Sequence, residues 1–158
     1  MNNLDLTLEI DRKKEYTNQV VSLLNIRIYE GIQKIYIEAK NLCKKRRSRK
    51  YLKQFQNLIS NIPKWSKAQI ESEFNRIKEK SKCSWLEELI TAVFVSHTKV
   101  LIAVKGNSKF NLEVPNGKKF LHTCYIECAR FFWKNPYLFS DVDISPCEYQ
   151  RNLRDCEQ

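Results

Sequence analysis

From Tyr16 to Leu42 the apolar residues return every three or four positions: Tyr16, Val20, Leu23, Leu24, Ile28, Ile32, Ile35, Tyr36, Ala39 and Leu42. That recurrence holds side chains on one face of an α-helix, and no proline interrupts it. The pattern predicts one long amphipathic helix that starts at Asp11, a good N-cap, and runs into the basic stretch KKRRSRK beginning at Lys44. Gly31 is its weak point, because glycine favours the helix less than any residue but proline. The rest of the chain agrees with a mainly α fold: three glycines and four prolines in 158 residues are too few for a many-turned β sandwich.

Five to six amphipathic helices are expected in an irregular bundle forming a single domain over 1–158. Before the long helix, LDLTLEI alternates Leu4, Leu6, Leu8 and Ile10 with polar residues, which reads as an extended arm over 1–10 able to add to a neighbour's sheet. Residues 11–60 form a helical hairpin with a basic junction, its second helix running from Ser48 to Ser60 and closed by Pro63. Core helices occupy 66–134. Ser66 and Gln69 make a capping box there, with Trp65 and Ile70 placed as a hydrophobic staple. Ser84 and Glu87 repeat the box before an apolar stripe that Gly106 ends. The β-branched residues in 91–104 allow a hairpin as the rival reading, although SHTK makes a poor tight turn. A short strand-like segment covers 110–114, and a helix from Lys118 to Lys134 follows the turn at Pro115-Asn116-Gly117. A last helix over 145–158 has Ser145 as cap, Pro146 at its first position and Glu148 as box partner.

The charge is uneven. The formal net charge is +10, and between Ala39 and Ile70 there are ten basic residues and no acidic one, leaving 18 of each sign elsewhere. The peak comprises Lys40, Lys44, Lys45, Arg46, Arg47, Arg49, Lys50 and Lys53. Such a cluster attracts phosphates or an acidic protein surface, or it is simply a solvated helix junction. Tyr51 and Phe55 fall at spacings that suit a buried helix face better than base stacking.

Six cysteines and two histidines raise the question of a metal, most of all in HTCYIEC from His122 to Cys128. On a helix Cys124 and Cys128 lie roughly 40° apart, whereas His122 lies about 200° from Cys124. The two thiols therefore share the apolar stripe of Leu121, Tyr125 and Phe132, and no C-x-x-C knuckle accompanies them. Packing is the reading, and a site assembled from Cys124, Cys128, Cys147 and Cys156 is its alternative. His97 reads as a core histidine and Glu87 as a cap, so no catalytic residue, metal or cofactor is assigned. The three isolated glycines exclude a phosphate-cradling loop. The N-terminus lacks the basic region of a secretory signal, and the run from Leu89 to Val104 is short for a bilayer span. A reducing compartment is expected, in which free thiols persist. Phe131, Phe132, Trp133, Tyr137 and Phe139 read as core joined to a binding surface.

As a set, IPKW, CSWLEELITAVFVSHTKVL, CYIECARFFWKNPYLF and EYQRNLRDCE resemble an uncharacterised family of nucleocytoplasmic large DNA viruses. The resemblance implies a virion or a virus factory in the host cytoplasm, with other viral structural proteins as partners. It brings no catalytic motif. The expected role is that of a non-enzymatic minor virion component acting through protein–protein contacts. The alternative is a basic protein that binds DNA or RNA in genome packaging or viral expression.

Overall fold

The computed structural model describes residues 2–106, 113–142 and 144–158. Among these residues six helices follow one another: α1 (Asn3–Lys45), α2 (Tyr51–Ile59), α3 (Lys67–Lys80), α4 (Leu86–Lys105), α5 (Gly117–Lys134) and α6 (Pro146–Glu157), with 3-10 turns at Ile62–Lys64 and Pro136–Phe139. No strand occurs among the described residues. The strand-like segment expected at 110–114 lies largely outside them, and its last two residues, Glu113 and Val114, belong to no regular element.

α1 is the spine. Its 43 residues span about 65 Å at 1.5 Å per residue. The predicted stripe is its buried face, with Val20, Leu24, Ile28, Ile32, Tyr36 and Ala39 all in the core. α4 packs along α1, and α2 folds back on it. The helix starts at Asn3 and not at Asp11. Asn2 caps it, accepting from the Asp5 N–H at 2.9 Å, and the Asp5 carboxylate returns a bond to the Asn2 N–H. The extended arm is thereby corrected to helix. Lengthening an existing helix needs no new nucleus, and this capping box satisfies its first donors. Leu6 is then half-buried and Glu9 buried, whereas Leu4, Leu8 and Ile10 stay exposed. A period-two pattern on a helix spreads its leucines over opposite faces.

α1 runs unbroken through Gly31. A Cβ there would lie 2.1 Å from the Tyr125 hydroxyl, so glycine is what lets α5 approach. Tyr125 is fully buried and donates to Glu73 Oε2 at 2.6 Å. Arg76 donates to Glu73 Oε2 at 2.9 Å, to the Arg27 carbonyl at 2.8 Å and to Glu30 at 3.4 Å. This part-buried polar knot ties α1, α3 and α5 together.

The α3 capping box forms as expected between Ser66 and Gln69. The α4 box does not. Trp85, not Ser84, is the N-cap, and Glu87 instead accepts from the Gly117 N–H at 2.9 Å, joining the starts of α4 and α5. A tertiary donor has taken the local cap's partner. Residues 91–104 are helical throughout, which settles the hairpin alternative against the strands. Ser145 caps α6 as expected, accepting from the Glu148 N–H at 3.2 Å, but the Glu148 side chain does not return the bond expected of a box partner.

Two helices are followed by a left-handed residue that is not glycine. After α1, Ser48 N–H reaches the Cys43 carbonyl and Arg47 N–H that of Lys44, with Arg47 at φ 51°. After α3, Cys83 and Lys82 repeat the arrangement on Lys78 and Glu79, with Lys82 at φ 51°. These are Schellman endings, which normally place glycine in the left-handed position.

Candidate interaction surface

The basic residues gather where α1 stops and α2 begins. Lys44, Lys45, Arg46, Arg47, Arg49, Lys50 and Lys53 are all exposed, and none makes an ion pair among the described residues. The first turn of α2 holds no acid and Lys50 supplies no side-chain cap, so the positive pole of α2 adds to the field of the cations. Arg47 in the left-handed region costs roughly 1–2 kcal/mol relative to an unstrained backbone. The turn therefore keeps a cation where glycine would be easier.

Lys40 does not belong to this surface. Its ammonium lies 2.6 and 2.9 Å from the two Asp141 oxygens, 5.5 Å from the centre of the Tyr36 ring, and Tyr36 donates to the same carboxylate at 2.9 Å. Burial works against the Asp141 charge, but the Lys40 and Tyr36 hydrogen bonds outweigh it and hold the carboxyl below its ordinary range. Tyr51 and Phe55 point inward too: Phe55 is fully buried against Tyr36, and Tyr51 pairs with the Ser140 hydroxyl.

The aromatic cluster divides as its reading required. Phe139 sits at the centre of a core nest, with Phe132 at 4.8 Å, Phe55 at 5.3 Å and Tyr29 at 5.5 Å between ring centroids. Phe131, Trp133 and Tyr137 are about half exposed. Trp133 forms a wall of an apolar slot of about 250 Å³ between the C-terminal ends of α2 and α5. Ile59 and Pro63 line one side, Ile126 and Ala129 the other, and Arg130 and Lys134 its rim. Gln56 Nε2 donates to the Trp133 carbonyl at 2.7 Å and fixes the two helices across it. The slot was not read from the sequence. Its signal is a second apolar stripe on α5, Ile126, Ala129 and Trp133, running beside Leu121, Tyr125 and Phe132.

The thiols pack apolar surface. Cys43 and Cys83 are buried. Cys124, Cys128 and Cys156 border a cavity of about 270 Å³ between α1, α5 and α6, while Cys147 is exposed and not among its walls. Burial pushes Cys124 and Cys156 up to about 11, which keeps both protonated at neutral pH. No group of His, Cys, Asp or Glu among the described residues is arranged to hold a metal ion. His122 serves the fold, with Nε2 at 2.8 Å from the Ile62 carbonyl and its ring stacked on Trp65. His97 is half-buried on α4. A wider cleft of about 750 Å³ lies between α1, the first 3-10 turn and α3. Its most buried carboxylate, Glu73, is already engaged by Arg76 and Tyr125.

Among the described residues no helix is long and apolar enough to cross a membrane. No curated protein and no solved structure matches the chain. A family model does match over residues 4–140, from the first turn of α1 to the end of the second 3-10 turn. The chain belongs to a family of unknown function, DUF5764.

Proposed function

We propose that the chain is a non-enzymatic interaction protein, engaging protein partners through the basic α1–α2 junction and the apolar slot walled by Trp133 at the far end of α2. In the viral setting that its sequence phrases imply, it acts as a minor, capsid-associated virion component. One observation carries the reading: seven exposed cations, none in an ion pair among the described residues, stand at one end of α2, and an apolar slot walled by the half-exposed Trp133 lies at the other. Interfaces combine an apolar, aromatic centre with a charged rim in this way. Recognition by strand addition is no part of the proposal, because residues 3–10 are helical.

Genome binding is the second reading, supported by the same cations, which would track a phosphate backbone without reading sequence. Stepwise disassembly of purified particles, followed by mass spectrometry of each fraction, separates the two. Release together with capsid proteins is the expected result. Retention with the genome until nuclease or high salt is applied would replace the first reading with the second. Absence from particles would remove the virion assignment.

A further inference from the structure

We infer that the slot between α2 and α5 receives one bulky apolar side chain of an acidic partner segment, whose carboxylates then reach the basic junction. The inference rests on the interaction reading above and names the chemistry of the partner.

Size comes first. A cavity of roughly 150 Å³ with apolar walls admits a benzene molecule. The slot's 250 Å³ therefore accommodates a phenylalanine or leucine side chain with room for its Cα. Ile59, Pro63, Ile126 and Trp133 make the walls apolar, so they reward burial of a hydrocarbon group and offer little to the edge of a nucleobase.

Charge decides the rest of the ligand. The α2 wall belongs to the window that lacks any acid, and Lys134 at the rim makes no ion pair among the described residues. Arg130 pairs with Glu127, but both side chains are more than half exposed and such a pair is weak, so Arg130 as well as Lys134 can meet a partner's carboxylate. Ser60 at the slot, the C-cap of α2, falls within about 60° of Gln56 and Lys53 around the helix axis, on one face leading to the junction. The nine residues of α2 cover about 13 Å at the helical rise. An extended peptide crosses that distance in about four residues at 3.3 Å each. The fitting partner thus carries a large apolar anchor with two or more carboxylates about four residues away.

The test uses the full chain and three fluorescein-labelled probes: a twelve-residue Asp/Glu-rich peptide with one Phe, the same peptide with Ala in place of Phe, and a twelve-nucleotide single-stranded DNA. Fluorescence anisotropy at physiological salt is expected to show the Phe peptide binding about tenfold more tightly than the Ala peptide, the order set by burying one aromatic side chain. Trp133→Ala should remove that preference and leave the Ala peptide unchanged. Ser60→Phe, at an exposed position on the slot's lip, should do the same by plugging it, with no core residue altered. If the two peptides bind equally to the wild type, the slot inference is wrong even though the junction still recruits acidic protein. If DNA binds and neither peptide does, the interaction reading itself fails and the inference goes with it.

Discussion

Replacing Gly31 by alanine separates tertiary packing from helix propensity by the sign of its effect. In an unencumbered helix interior Gly→Ala stabilises by about 1 kcal/mol. Here the added Cβ would meet the Tyr125 hydroxyl at 2.1 Å and its Cζ at 3.0 Å. The ring has nowhere to retreat, because Tyr125 is fully buried and its hydroxyl is held at 2.6 Å by Glu73. Overpacking costs about 1–3 kcal/mol, and loosening a hydrogen bond to a charged group costs about 1.5–3 kcal/mol. Set against the propensity gain, the net is a destabilisation of about 1.5–5 kcal/mol. Urea denaturation followed by far-ultraviolet circular dichroism should show a lower midpoint with an unchanged slope. The same substitution made in Tyr125→Phe, where the offending oxygen is gone, should cost far less, so the two changes couple strongly in a double-mutant cycle. A Gly31→Ala variant more stable than wild type by about 1 kcal/mol, as propensity alone requires, would refute the close approach of α5.

Two further outcomes follow from the same structure. Lys82→Gly should raise stability by about 0.5–1 kcal/mol, the relief of a left-handed lysine less the greater entropy of glycine in the unfolded chain, read as an increase in the thermal midpoint; a fall would show that the lysine is not strained. Acid should weaken the fold through Glu73 and Asp141: burial opposes both charges, yet hydrogen bonds from Arg76 and Tyr125 to the first, and from Lys40 and Tyr36 to the second, leave both carboxyls below their ordinary range. A depressed carboxyl stabilises the native state above its unfolded pKa, and that contribution is lost as pH falls through the native one. Glu73→Gln with Asp141→Asn should therefore flatten the loss of urea stability below the ordinary carboxylate range, and an unaltered acid profile would place the sensitivity elsewhere.

Much of the backbone was legible because its signals are local. The stripe from Tyr16 to Leu42, the Ser66–Gln69 box and the Ser145 cap each depend on residues no more than four apart, and each appears as read. Errors arose where two local signals competed or a distant group intervened. The alternation in LDLTLEI is a genuine strand pattern, but the Asn2–Asp5 cap and the helix already running behind it prevail. Glu87 had the spacing of a box partner, yet the Gly117 N–H claimed it from 30 residues away. Of the candidate surface, the cations were plain in the sequence. The removal of Lys40 from among them was not, since its partner Asp141 lies 101 residues further on.

The sequence by itself determined the helices, the polarity of their faces and the concentration of positive charge in one acid-free window. Those properties follow from side-chain periodicity, caps and composition, which act over a turn or two of backbone. Tertiary structure alone decided that Gly31 admits Tyr125, that Glu73 and Arg76 close a part-buried knot around it, and that Ile59 and Trp133 face each other across a slot. Each of these joins residues tens of positions apart. Only the packing of α1, α2, α3 and α5 brings them together, because burial rewards whichever distant surfaces fit and leaves no mark of the pairing in either segment alone.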